Sequence, residues 1–345
     1  MNKEISDISK KVQENRLQRI YFSEDKGEPD LYFLVDCYEK VLYITLQEYM
    51  KDCGLVFCND INLEVGIDTI GFYPKDLGLK DKIFEVTRYY PSKEDAMYQL
   101  EHFIDSGIIV AVCTMFDKLP SCAWYQQEDK VGISNTHFIT VIGYDEEFFY
   151  FVDDPSMLNV NAKRLTGNST VTVLEKKYFR EAFEEYCEIL TVKINEEKLG
   201  EEDDFIVIKD KIIQNYYNEK IEEIEGKKVV SGRRALVEFI RLLDKEEVLD
   251  AIVSNFYWIY LMAKRRVLLK MCLEKKHGMF EDVDKACFLL DVCNEEWMKL
   301  YFRVSAYFCG SGTREKIRKS MKERVYKIIA VEDSLIRALG ELKRM

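Results

Sequence analysis

Prolines are few in this chain, five in 345 residues, and glycines number only sixteen. That leaves little room for low-complexity linkers, and no internal repeat is present. The three histidines show no paired metal-ligand spacing and no Cys-x-x-Cys pair occurs, so zinc is not expected. Neither a Gly-x-Gly-x-x-Gly fingerprint nor a phosphate-loop signature is found, and nucleotide binding has no support. The longest apolar run, 251–263, is interrupted by Ser254 and Asn255 and is too short to span a bilayer. Residues 1–18 are charged and lack an apolar core, unlike a secretory leader.

What remains is an ordinary globular make-up, 47% hydrophobic, with a formal net charge of −12 and a pI near 5.1. An acidic surface argues against general nucleic-acid binding, which depends on neutralising phosphates. Two basic stretches, Lys264-Arg265-Arg266 and 314–322, read as solvated helix faces. The first is also the candidate patch for docking an acidic partner protein. Ten cysteines mostly stand singly in apolar surroundings, as in Phe308-Cys309-Gly310. Free thiols in a reducing, cytoplasmic compartment fit this pattern.

The length suits two domains. Residues 1–195 read as an α+β domain with a mostly antiparallel sheet. Helices are predicted at 6–18, 37–51, 93–106 and 175–186. Strands are predicted at 55–58, 83–89, 108–114, 136–144, 148–153 and 190–194, short β-branched or aromatic runs between turn residues. The acidic stretch 195–204 reads as the linker. Residues 196–345 then read as an all-α domain. Leu236, Phe239, Ile240 and Leu243 recur at helical spacing, as do Tyr301, Val304 and Phe308, and Val325, Ile328, Ile329, Val331 and Leu335. These stripes predict a bundle of about five helices. Phe256, Tyr257, Trp258 and Tyr260 are read as its core.

Three residues form the candidate catalytic set: Cys37, His137 and Asp154. Asp36-Cys37-Tyr38-Glu39 fits a capping box, with Asp36 as cap and Glu39 three residues on. Cys37 then opens a helix, where unpaired N–H groups and the dipole favour a thiolate. His137 lies on a strand whose alternation runs through Ile139, Val141 and Gly143. If Asp145-Glu146 is a two-residue turn, Tyr144 pairs with Glu147 and His137 stands opposite Asp154. Opposed Cβ atoms lie about 4.5–5.5 Å apart, close enough for a carboxylate to orient an imidazole. A longer turn shifts the register, and Asp153 is the fallback. Pro155 stops the strand. His137 would take the proton of Cys37, Asp154 would hold the ring, and the thiolate would form a thioester with a carbonyl. The backbone N–H of Cys37 is the natural first oxyanion donor. His102 and His277 read as ordinary residues of amphipathic helices.

The blocks Asp105-Ser106-Gly107-Ile108-Ile109-Val110-Ala111-Val112, Asp117-Lys118-Leu119-Pro120, His137-Phe138-Ile139-Thr140-Val141-Ile142-Gly143-Tyr144-Asp145 and Val152-Asp153-Asp154-Pro155 carry a resemblance. Together they resemble the N-terminal domain of the butirosin biosynthesis protein H family. That is a papain-like branch close to the double-glycine bacteriocin-processing cysteine peptidases. The similarity covers about residues 30–195. It implies a papain-like fold with the Asp before proline completing the triad. It also implies acyl transfer from the phosphopantetheine arm of an acyl or peptidyl carrier protein to a small-molecule amine, in specialised-metabolite (antibiotic-type) biosynthesis. No bound cofactor, nucleic acid or membrane is expected, and self-association stays open. Two other readings share the fold: a papain-like cysteine peptidase or amidase, and a binding module without catalysis. The second is favoured by one feature, the lack of a Gln between Leu31 and Asp36.

Overall fold

The computed structural model of the chain describes residues 35–47, 49, 54–67, 71–75, 78, 80–123, 125–126, 136–153, 158–159, 162–163, 171–199, 205–224, 226–254 and 256–345. The helix expected at 6–18 lies outside the described residues. The fold is α+β, with antiparallel sheets and several helices. In chain order it runs α1 (Cys37–Gln47), a 3-10 segment (Gly54–Asp60), β1 (Leu63–Gly66), β2 (Phe72–Pro74), β3 (Phe84–Tyr89), α2 (Lys93–Asp105), β4 (Val110–Met115), β5 (Thr136–Tyr144) and β6 (Phe148–Val152). There follow β7 (Val171–Glu175), α3 (Lys176–Glu185), β8 (Cys187–Ile194), α4 (Phe205–Tyr216), β9 (Glu222–Ile224) and β10 (Lys227–Ser231). The chain closes with α5 (Gly232–Leu242), α6 (Glu246–Ser254), α7 (Tyr257–Glu274), α8 (Val283–Phe308) and α9 (Arg314–Glu341).

Two compact units divide these elements: Met1–Cys53 with Ile83–Glu196, and Gly54–Lys82 with Glu197–Met345. One crossing falls beside the boundary expected at 195/196. The single boundary does not provide for the excursion at Gly54–Lys82. That segment joins the second unit because β1 pairs antiparallel with β10 and the 3-10 segment packs against α7 and α4. Residues 55–58, expected as a strand, lie in that 3-10 segment. A short apolar run does not by itself distinguish strand from helix.

The first unit is built on a six-stranded antiparallel sheet in the order β3-β8-β4-β5-β6-β7. Strand alternation sends Val110, Val112, Ile139, Val141, Phe149, Phe151 and Ile189 to one face, where they bury Ala96 and Leu100 of α2 and Phe179, Ala182 and Phe183 of α3. Helix α2 starts at Ser92, whose hydroxyl accepts from the Asp95 N–H at 3.2 Å. It ends at Gly107, whose positive φ of 70° lets the Ile108 N–H reach back to the Phe103 carbonyl at 3.1 Å. Helix α1 packs against β5 and β8, its Tyr38 ring 5.7 Å from that of Phe138.

The second unit is not all-α. It holds a four-stranded antiparallel sheet, β2-β1-β10-β9, together with α4 to α9. Lys227 and Lys228 at the start of β10, both exposed, hide that strand from a hydrophobicity reading. Of the apolar stripes, Leu236, Phe239, Leu243, Val304, Val325, Ile328 and Leu335 are buried, whereas Phe308 is exposed. Trp258 is core, stacked on Phe72 at 5.5 Å and edge-on to Phe239 at 5.7 Å. Among the described residues, no helix is long and apolar enough to cross a membrane.

Candidate active site

Cys37 is the first residue of α1, and the reciprocal cap read from the sequence is formed. The Glu39 N–H donates to Asp36 Oδ1 at 2.7 Å, and the Asp36 N–H donates to Glu39 Oε2 at 3.1 Å. These bonds satisfy two donors of the first turn and fix the direction in which the helix starts. Glu39 is fully buried while Cys37 is half-buried, so the cap is anchored in the core and the thiol stays reachable.

His137 is the second residue of β5 and pairs across the sheet with Thr114 of β4. Its ring is buried, and its Nε2 lies 2.6 Å from Asp153 Oδ1. Asp154 lies outside the described residues. The physical reason for the Asp153 contact is a change of register. The β5–β6 connection is longer than two residues, with Tyr144 paired to Phe149 rather than Glu147. Asp145 Oδ1 accepts the N–H groups of Glu147 and Phe148, at 2.8 and 2.7 Å, and so stabilises the longer turn. A bulge between Val141 and Gly143 then moves the pairing back by one position, to Val141–Phe151 and Thr140–Val152. Alternation from those pairs puts Asp153 on the face that carries Ile139 and His137.

The Cys37 thiol interacts with the same imidazole. Nε2 is the nitrogen at Asp153, which leaves Nδ1 for the sulfur. Burial pushes the ring toward its neutral form, but the Asp153 charge and hydrogen bond, with a further contribution from Cys37, outweigh burial and raise its pKa to about 10. The imidazole is therefore a cation at neutral pH. Phe116 stands edge-on to it at 6.2 Å and closes one side. Burial pushes the thiols of Cys113 and Cys187 up to about 12, which makes them inert nucleophiles. Cys309 is the exposed cysteine among those described.

A second group of polar residues occupies the opposite face of the sheet beneath α1, and the sequence reading passed over it. Cys113 of β4 is paired with Phe138 on one side and with Glu188 of β8 on the other. The buried Glu188 accepts from Arg88 of β3, from the Tyr186 hydroxyl at 2.8 Å and from the Tyr90 hydroxyl at 3.4 Å. The Arg88 guanidinium lies over the Tyr38 ring, 5.4 Å from its centroid. The available signal was an acidic residue inside an otherwise apolar strand, Cys-Glu-Ile-Leu-Thr-Val at 187–192.

The remaining candidates fall elsewhere. His102 is exposed on α2 and stacks on Tyr98. His277 is exposed and meets Asp284 at 3.1 Å. Lys264-Arg265-Arg266 is not a solvated face: Arg265 and Arg266 are buried, and Arg266 pairs with Glu332. The 314–322 stretch is exposed in part but matched by acids, Arg314 with Asp250, Arg318 with Glu246 and Lys322 with Asp244. Among the described residues, no group of His, Cys, Asp and Glu is arranged to hold a metal ion. No protein-family model matches the chain, and none of the curated proteins compared with it matches either.

Proposed function

We propose that this protein is a cysteine-dependent acyltransferase of papain-like type, related to the butirosin biosynthesis protein H family. In this reading it passes an acyl group from a carrier-protein thioester to an amine. One observation carries the proposal: a thiol at the head of a capped helix meets an imidazole whose other nitrogen is held by a buried carboxylate, Asp153. Those are the parts of a nucleophile, a proton carrier and an orienting group.

The chemistry follows from the protonated ring. The Cys37 sulfur attacks the carbonyl carbon of the donor thioester, and the tetrahedral oxyanion is met by the Cys37 N–H at the helix start. The bond to the phosphopantetheine sulfur breaks, and the imidazolium of His137 gives its proton to that leaving thiolate. An amine then attacks the acyl-Cys37 thioester. His137 takes the amine proton, the carbon–sulfur bond breaks, and the amide leaves with the thiolate–imidazolium pair restored. Asp153 keeps the ring oriented and stabilises its charge throughout. Hydrolysis or peptide cleavage would use the same three groups, with water or a peptide bond in place of the amine or the carrier thioester.

The test uses the intact chain in a Cys309→Ser background. Iodoacetamide at neutral pH is expected to label Cys37 before the other thiols. His137→Ala should slow this at least tenfold, a threshold set below the roughly hundredfold or more that a general acid–base group contributes. Acyl-pantetheine should then add one acyl mass to the protein, lost in Cys37→Ala, and a small primary amine should discharge it. Labelling spread over several cysteines, unchanged by His137→Ala, would refute catalysis. Acylation discharged at the same rate with and without amine would move the assignment to a hydrolase.

A further inference from the structure

The Arg88–Glu188 group has no part in the thiol–imidazole chemistry, yet its guanidinium lies over the ring of the residue that follows the nucleophile. Glu188 is buried, its side chain 5% exposed, while that of Arg88 is 46% exposed. One carboxylate oxygen takes Arg88 Nη1 and the Tyr90 hydroxyl, and the other takes the Tyr186 hydroxyl. Glu188 is thus immobilised by three donors, and the Arg88 guanidinium carbon lies over the Tyr38 ring, 5.4 Å from its centroid. The result is an arginine fixed at one end and open to solvent at the other. A guanidinium presents five N–H donors in a planar fork that matches a carboxylate, and Glu188 engages this one at Nη1. The chain carries a formal net charge of −12, so its overall field disfavours an anionic substrate. A fixed cation on the ring of the residue next to the nucleophile answers that locally.

We propose that Arg88 is a specificity residue that binds a carboxylate borne by the acyl group whose carbonyl Cys37 attacks, so that the preferred donor is an acidic acyl thioester. This rests on the acyl-transfer reading of Cys37 and His137, and deepens it. Glu188 is a positioning residue that acts through Arg88.

Iodoacetate and iodoacetamide differ only in carrying a carboxylate or a neutral amide, so the ratio of their alkylation rates at Cys37 reports an anion site near the sulfur. In the Cys309→Ser background, Arg88→Gln is expected to lower that ratio about fivefold at low salt, the size of a partly exposed charge interaction. The iodoacetamide rate itself should stay within twofold. Lys93→Gln removes the same charge from α2, on the other face of the sheet, and should leave the ratio unchanged. Arg88→Gln leaves Glu188 buried without its cation, so Arg88→Gln/Glu188→Gln is the second variant, neutral at both positions, and the same fall is expected. In the unsubstituted chain, succinate should slow iodoacetamide labelling more than chloride does at equal ionic strength. A ratio within twofold of wild type in both Arg88 variants, with Cys37 still labelled, overturns the Arg88 assignment and leaves the acyl-transfer reading standing. A Cys37 that reacts with neither reagent overturns both.

Discussion

Replacing Asp153 by Asn removes one charge from the buried face of the sheet and leaves the side-chain shape almost unchanged. His137 then keeps its burial, which disfavours the cation, and loses the carboxylate that outweighed it. Its titration should drop from about 10 to 6.5 or below. The raised value also fixes the sign of a stability effect. A ring that holds its proton more tightly folded than unfolded contributes full stability below pH 6.5, and that contribution is lost as pH rises through about 10. Each tenfold change in proton affinity corresponds to about 1.4 kcal/mol, so the move from 6.5 to about 10 corresponds to roughly 5 kcal/mol. Breaking a buried ion pair by removing one member costs about 3–5 kcal/mol, and the two figures agree in size.

The assay is a pH titration of the histidine ring nitrogens by NMR from pH 5 to 11, at the same pH values as urea unfolding curves. Only three histidines are present, and the exposed His102 and His277 serve as internal references. Wild type should show His137 charged well above neutrality and stability falling toward pH 10. Asp153→Asn should show a neutral ring at pH 7.5, no loss of stability from its titration between pH 7.5 and 10, and iodoacetamide labelling of Cys37 slowed at least tenfold. A wild-type ring that titrates at or below 6.5 would refute the reasoning, as would an Asp153→Asn ring that titrates like wild type. Asp154→Asn is the informative companion. If the effect appears in that variant and not in Asp153→Asn, the orienting carboxylate is Asp154, as the motif reading expected.

Two further predictions concern the second unit. Gly232 opens α5 with φ of +61°, and a Cβ there would meet the Asn215 and Tyr216 carbonyl oxygens at 2.5 Å. Gly226 has φ of +73° with nothing within 4 Å. Gly226→Ala should therefore cost about 1 kcal/mol from backbone strain alone, and Gly232→Ala at least ~3 kcal/mol, with a fall in Tm to match. Equal costs would show that the carbonyl contact is not limiting. Glu332 is buried and accepts from Arg266 and from the Trp297 indole N–H at 2.7 Å. Glu332→Ala strands the Arg266 charge and should cost ~3–5 kcal/mol in urea unfolding, whereas Arg266→Met/Glu332→Leu should cost much less. A Glu332→Ala variant within 1 kcal/mol of wild type, on the scale of a surface pair, would refute the buried-pair account.

How much of this could be read from the sequence depends on how far apart the deciding residues lie. The cap at Asp36 and Glu39 involves residues three apart, and it was legible with its bonding pattern. The boundaries of β5 were legible because Thr136–Tyr144 is a β-branched and aromatic run that ends at turn residues. The membership of residues 54–82 was not, since it depends on β1 finding β10 more than 160 residues away, Val65 against Val230. Nor was the burial of Arg265 and Arg266, because a run of three basic residues reads as surface unless its partner Glu332 is known. The orienting carboxylate lies between these cases. Lengthening the turn until Tyr144 pairs with Phe149 moves the register by two, and a shift of two keeps every side chain on its face. The bulge between Val141 and Gly143 moves it by one, and a shift of one exchanges the faces. The motif and the pleat therefore favour different residues of the same Asp-Asp pair. A sequence reading that counts turn residues correctly still selects the wrong face if it misses the bulge. Deleting Ile142 would remove the extra residue while leaving Val141 opposite Phe151 and Thr140 opposite Val152, so Asp153 keeps the face of His137. If those pairs set the Asp153 contact, His137 in that variant should still titrate near 10. If its titration instead falls to 6.5 or below with Asp153 still present in the chain, the contact depends on the bulge itself, and the account of the pair given by the pleat fails.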